Sequence, residues 1–242
     1  MATFEEILTA RAAAAGLALT AEQIAQFAVY NEMLLDWNTR MNLTALTAPN
    51  DVAVKHIIDS LTAYDAPLFD AAEALIDVGT GAGLPGIPLA VYAPHIEVTL
   101  VDALAKRVRF LTEVTRAMHL TNVRCIHARA EEAARAKEHR AHYDIAVSRA
   151  VARMPVLLEY TLPFVRVGGS VLALKGRAYA EDAAEARGAA ERLGGGAIAA
   201  RPVQLPGLDD VRAILTVVKE RPTPKAYPRR AGQPEQCPLR NP

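Results

Sequence analysis

Net charge is the first thing this sequence lacks: 27 Lys and Arg side chains balance 27 Asp and Glu over 242 residues. A uniformly cationic chain that wraps nucleic acid with its whole surface is thereby excluded. Cysteine is scarce, with only Cys125 and Cys237. They are too few for a disulfide framework, and no Cys/His cluster has zinc-ligand spacing, so a reducing, cytoplasmic setting and no bound metal are expected. No apolar run approaches the roughly 20 residues that span a bilayer, and acids stand at Glu5 and Glu6 where a signal peptide carries bases. A soluble protein without membrane contact is expected.

What is present suits a folded globular chain, with 51% apolar and 22% charged residues. The zero charge hides a polarity along the chain: residues 1–74 carry 3 basic and 10 acidic side chains, residues 75–150 carry 10 and 8, and residues 151–242 carry 14 and 9. Such a gradient marks either a basic face that a polyanion can reach or an ordinary solvated surface.

Three helical segments come first. Thr3-Phe-Glu-Glu6 and Thr20-Ala-Glu-Gln23 read as capping boxes at helix starts. Ile24, Phe27, Ala28, Leu34 and Leu35 form an apolar stripe after the second, and a third helix is predicted from about Asp51 to Ala63. From residue 75 short apolar runs alternate with helical stretches. Leu75–Val78, Val98–Val101, Val123–Ile126, Ile145–Val147 and Val171–Leu174 are predicted strands of a parallel sheet covered on both faces. Residues 103–118 are predicted as a crossover helix with Leu104, Val108, Leu111, Val114 and Met118 inward. Gly168-Gly169 is expected to reverse the chain before the fifth strand, and Gly194-Gly-Gly196 to end a helix. Ala197–Leu205 and Ala213–Val218 are predicted to pair as an antiparallel hairpin. The organisation is therefore a helical cap over residues 1–65, an α/β core over 66–221 and an extended proline-containing tail over 222–242, either anchored or mobile.

The most informative stretch is Leu75-Ile-Asp-Val-Gly-Thr-Gly-Ala-Gly-Leu-Pro-Gly-Ile-Pro-Leu89, where a buried strand runs into glycines and then a helix. Such a turn brings backbone close to a ligand and aims free N–H groups at it. Gly81-x-Gly83-x-x-Gly86 satisfies a dinucleotide fingerprint, which is a weak signal alone. Asp77, the alternation Gly79-x-Gly81-x-Gly83, and the strand-two acid Asp102 before Lys106-Arg107 favour S-adenosylmethionine. Asp102 is placed to accept both ribose hydroxyls at the carboxyl edge of the second strand, or to cap the following helix.

The chain resembles the ribosomal RNA small-subunit methyltransferase G family, also called glucose-inhibited division protein B. The resemblance rests on Trp37-Asn38, Asn42-Leu-Thr44, Lys55-His-Ile-Ile-Asp-Ser60, Ile76 to Gly86, Lys106-Arg-Val-Arg-Phe-Leu111, Ser148-Arg-Ala150 and Leu174-Lys-Gly176. The tail Tyr227-Pro-Arg-Arg230 with Pro238-Leu239 looks like that of members with a C-terminal extension. The resemblance implies a class I methyltransferase fold, with a Rossmann-like sheet, that moves the methyl of S-adenosylmethionine to guanine N7 in the 530 loop of 16S rRNA. Carried over by position, it implies cofactor contacts at Gly79, Leu84, Ala130-Glu131 and Arg149, to which the glycine turn adds Gly81 and Gly83. Leu84 stands where some relatives have phenylalanine. The implied partner is 16S rRNA, the small ribosomal subunit or an assembly intermediate, and a monomer is expected.

Ring-nitrogen methylation needs no base, because guanine N7 has a lone pair and no proton to lose. After strand four the chain has Ser148-Arg-Ala-Val151 rather than the Asn/Asp-Pro-Pro-aromatic run often used on exocyclic amines. Neither Cys125 nor Cys237 is placed for the nucleophilic attack that pyrimidine C5 methylation requires. An O-methyltransferase with an unrecognised base survives this elimination. Candidate RNA contacts are His56, Arg153, Lys175, Arg177, Arg229 and Arg230, each equally readable as a solvated or structural side chain. Asp59, about a helical turn from His56, is read as a neighbour on the substrate side or a hydrogen-bond partner of His56. Trp37 is expected to be a packing anchor. A nucleotide-dependent oxidoreductase and a non-catalytic RNA-binding assembly factor are the competing readings.

Overall fold

The computed structural model describes residues 2–240. One seven-stranded sheet in the order β3-β2-β1-β4-β5-β7-β6 organises them. Its strands are β1 Ala74–Val78, β2 Glu97–Asp102, β3 Val123–His127, β4 Tyr143–Arg149, β5 Val165–Lys175, β6 Gly195–Val203 and β7 Arg212–Lys219. The first five run parallel, with Leu75 beside Val98 on one side and Ile145 on the other. The chain order reverses between β1 and β4, which makes their carboxyl ends the switch point where open α/β sheets bind ligands.

Alternate residues of each strand enter different layers. Leu75, Val98 and Leu100 pack with Leu8, Phe27, Tyr30, Leu34, Ile57 and Leu61 of the N-terminal helices, so the cap shares the core of one sheet face. Ile76, Val78 and Val101 join Met154, Leu158 and Leu193 on the other face. Both capping boxes are formed, with Thr3 accepting from the Glu6 amide and Thr20 from the Gln23 amide. They start helices Phe4–Ala14 and Ala21–Asn38. Trp37 packs edge-on against Phe110 at 5.7 Å, as an anchor between cap and core.

Several expectations change. The third helix spans residues 49–61, but Val52–Ile58 within it is π-helical. Leu104 does not face inward: it is 54% exposed at the N-cap of helix Ala105–Ala117, whose buried stripe is Phe110, Leu111, Val114 and Met118. Gly168 and Gly169 do not reverse the chain; they lie inside β5, opposite a register shift in β4. Gly194, at φ 90°, does cap helix Arg187–Leu193. The hairpin forms, and β7 is inserted between β5 and β6 by antiparallel pairing on both sides. The tail is anchored rather than mobile. Arg140 donates to the carbonyls of Thr223 and Tyr227 at 3.0 and 2.9 Å, and Leu239 is buried in the second core layer. Among the described residues no helix is long and apolar enough to cross a membrane.

Candidate functional site

Two hollows flank the carboxyl end of β4. The smaller, about 130 Å³, is lined by Gly79, Asp102, Ala130, Glu131, Val151, Tyr160 and Glu235 among others. The larger, about 350 Å³, is lined by Lys55, His56, Asp59, Arg149, Lys175 and Arg212 among others.

The glycine turn connects β1 to helix Gly86–Tyr92, and its glycines serve different needs. At Gly79, φ is +72° and a Cβ would meet Val151 Cγ2 at 2.6 Å. Gly81, at φ +61°, has nothing within 4 Å of the place a Cβ would take, so its side of the turn is free for a ligand. Tyr30 of the cap holds the turn from behind by donating its hydroxyl to the Ala82 carbonyl at 2.8 Å. Asp77 holds it from below. Its Oδ2 accepts from the Thr80 hydroxyl at 2.6 Å and the Gly86 amide at 2.8 Å, while Oδ1 is buried without a partner. Burial pushes this carboxyl up to about 7 against the pull of those two donors.

Asp102 ends β2 in the wall of the smaller cleft. One oxygen accepts the Leu104 amide at 2.9 Å, which is the helix-start role, and the other accepts the Gly81 amide at 3.0 Å. The Arg107 guanidinium stands 3.4 Å from it. A carboxylate oxygen retains a second lone pair after one such bond, so both readings of Asp102 remain open to the same side chain. Ala130 and Glu131 also reach this cleft, but Glu131 is only 4% exposed and its Oε1 accepts the Gly232 amide of the tail at 2.9 Å. Leu84 is buried in the cap-side core and lines neither hollow.

Arg149 ends β4 and turns into the larger cavity rather than the smaller one. Its Nη1 bonds Asp59 Oδ2 at 2.7 Å and the Lys55 carbonyl at 2.9 Å. Arg212, at the start of β7, takes the other oxygen of Asp59 at 3.0 Å. Of the two readings of His56 and Asp59, the mutual hydrogen bond does not form: both oxygens of Asp59 accept from guanidiniums. His56 Nε2 lies instead 2.8 Å from the Thr44 hydroxyl, and Nδ1 lies 3.1 Å from the Lys55 carbonyl. Burial, helped by Arg149, pushes His56 down to about 4, so its ring is neutral at physiological pH. His56, in the π-helical stretch, and Asp59, just after it, lie in one wall of the larger cavity.

The remaining basic candidates divide. Arg229 is no free RNA contact: its Nη2 and Nε grip the fully buried Glu159 at 2.6 and 2.9 Å. Lys175 pairs with Asp182 at 2.9 Å while still lining the larger cavity, and Arg153 pairs with Glu185. Arg177 and Arg230 are exposed, and neither has an ion pair among the described residues. Neither cysteine lines either hollow of the carboxyl edge. Sequence reasoning missed Tyr160, Glu235 and Arg212. Only Glu235 left a signal, as the one acid among residues 222–242.

A family model described as rRNA small subunit methyltransferase G matches residues 23–199. The ribosomal RNA small subunit methyltransferase G of Leuconostoc citreum (strain KM20) is 46% identical over 227 residues, covering 93% of this chain and 95% of that protein. That of Alkaliphilus oremlandii (strain OhILAs) is 43% identical over 236 residues, covering 98% and 99%. The chain belongs to the rRNA small subunit methyltransferase G family. Membership makes S-adenosylmethionine the methyl donor. Among solved structures, a putative O-methyltransferase from Klebsiella pneumoniae aligns with a TM-score of 0.55 at 17% identity, covering 80% of this chain and 90% of that one. The apo form of the S-adenosylmethionine-dependent methyltransferase SibL aligns with 0.54 at 16%, covering 83% and 73%. At such identities the likeness is one of fold, that of class I methyltransferases. The residues present suit the donor: Gly81 leaves space at the turn, and Asp102 offers carboxylate lone pairs at the end of β2.

Proposed function

We propose that this protein transfers a methyl group from S-adenosylmethionine to N7 of a guanine in the 530 loop of 16S rRNA. The cofactor supplies a methyl already activated on a sulfonium sulfur, so the protein's task is mainly alignment for in-line displacement. Gly79, Gly81 and Asp102 bind the donor's adenosine end in the smaller cleft, and the larger cavity receives the base.

The observation that carries this reading is the state of the groups in the larger cavity. Asp59 is held by two guanidiniums, and His56 has its proton affinity lowered by burial and by Arg149. The cavity thus holds no carboxylate free of ion pairing and a histidine of depressed basicity, which suits an acceptor with a lone pair and no proton to lose. Exposed Arg177 and Arg230 contribute phosphate contacts that position the RNA.

The test is the nucleoside content of 16S rRNA from cells lacking this protein. One N7-methylguanosine should be missing and should return with the wild-type protein. An unchanged modification would overturn the reading.

A further inference from the structure

The smaller cleft is completed by a segment that the sheet itself does not require. Residues 222–240 are tied down by Arg229 on Glu159, by Arg135 donating to the Pro228 carbonyl at 2.6 Å, and by the Thr223 hydroxyl on the Leu193 carbonyl at 2.7 Å. The Gly232 amide bonded to Glu131 fixes the start of the short helix Gln233–Gln236. These anchors put Glu235 into the wall of the same cleft as Gly79, Asp102 and Ala130.

Carboxylates outnumber cations in that wall, where Asp102, Glu131 and Glu235 stand with the exposed Arg129. Burial and the nearby carboxylates of Glu131, Glu235 and Glu159 push the Tyr160 phenol up, so it stays protonated beside Glu235 in the cleft wall. Glu159 is neutralised by Arg229 and Asp102 faces Arg107, whereas Glu131 and Glu235 have no ion pair among the described residues. Two carboxylate acceptors free of ion pairs, Glu131 and Glu235, suit a ligand edge that donates protons. Apart from the ribose hydroxyls, for which Asp102 is placed, an adenosyl group offers one such donor there: the exocyclic amine of adenine.

We propose that Glu235 of the C-terminal segment is a specificity-determining cofactor residue that accepts a hydrogen bond from the adenine amine. This rests on the reading of the smaller cleft as the adenosine site. It makes the tail part of the active site, and it explains why a lone acid stands in a basic segment. Replacing the amine by a carbonyl would set two acceptors against each other, so a 6-oxo purine should be rejected.

The test measures calorimetric affinities of the full-length protein for S-adenosylhomocysteine and for its deaminated analogue S-inosylhomocysteine. The wild type should prefer the adenosyl compound by at least about tenfold, the scale of one hydrogen bond to a charged group. Glu235→Ala should weaken only the adenosyl compound and bring the ratio towards one, while Glu235→Gln, which keeps an acceptor oxygen, should retain part of the preference. An unchanged ratio in Glu235→Ala, whether both affinities stay or fall together through loss of tail docking, would overturn the proposal. If the wild type binds neither compound, the adenosine-site reading itself fails, a different outcome from binding without discrimination.

Discussion

The Arg149 guanidinium holds the Asp59 carboxylate at 2.7 Å and thereby ties the carboxyl end of β4 to the helix of residues 49–61. Asp59 is 3% exposed and has Arg212 on its other oxygen, so its loss would leave two cations facing one another across a little-hydrated wall. Removal of one partner of a buried pair costs about 3–5 kcal/mol. Asp59→Ala should therefore lower stability by about 3 kcal/mol in urea titration. Arg149→Ala should cost less, because Arg212 still serves Asp59, yet it should abolish methyl transfer by unseating the wall of the larger cavity. Equal stability losses in the two variants would contradict this division.

The glycines of the turn should separate by variant. Gly79→Ala combines a left-handed backbone with a clash against Val151, whereas Gly81→Ala carries the backbone penalty alone. A left-handed residue with a Cβ costs about 1–2 kcal/mol. Thermal unfolding should show Gly81→Ala losing about that amount and Gly79→Ala losing more. Both should bind S-adenosylhomocysteine less tightly. A Gly81→Ala protein as destabilised as Gly79→Ala would contradict the open space at Gly81.

Asp77 gives stability a pH dependence of defined sign. Its carboxyl is raised from 3.8 to about 7 in the fold, so the folded state holds this proton more tightly than the unfolded chain. The contribution is complete below about pH 4 and is lost as pH rises through about 7. Between those limits Asp77 lowers stability as pH rises, in opposition to His56, whose ring is pushed down to about 4, so Asp77→Asn should make the slope of stability against pH in urea titrations more positive than that of the cofactor-free wild type. An identical slope in both proteins would contradict the assignment.

The basic residues should fall into two classes. Arg229→Ala strands the buried Glu159, so the melting temperature should fall and the tail should become open to limited proteolysis. Arg177→Ala and Arg230→Ala should leave unfolding unchanged, weaken RNA binding and reduce the salt dependence of that binding by about one counterion each. A loss of stability in the exposed pair, or none in Arg229→Ala, would reverse the classification.

The pattern of legible and illegible features has physical causes. The capping boxes, the strand rhythm and the glycine turn depend on neighbours within a few residues, and they stand where the sequence places them. The π-helical stretch was hidden because Val52, Val54, Ile57 and Ile58 are buried under either hydrogen-bonding register. The inner place of β7 was visible only in retrospect: Ala213-Ile-Leu-Thr-Val217 is nearly continuous in apolar character, whereas β6 carries Arg201 and Pro202, which suit an edge. Charge is legible in a sequence but its partner is not. Arg229 reads in sequence as a phosphate contact or a solvated cation, and in the fold it is neither, because Glu159, 70 residues away, lies beneath it.

The central claim is tested most directly by incubating the purified protein with methyl-labelled S-adenosylmethionine and 16S rRNA or small subunits lacking the modification, then identifying the labelled nucleoside and its position. The account predicts label in N7-methylguanosine from the 530 loop. Label on an exocyclic amine, a pyrimidine carbon or a ribose oxygen, or no label in either substrate, would contradict it.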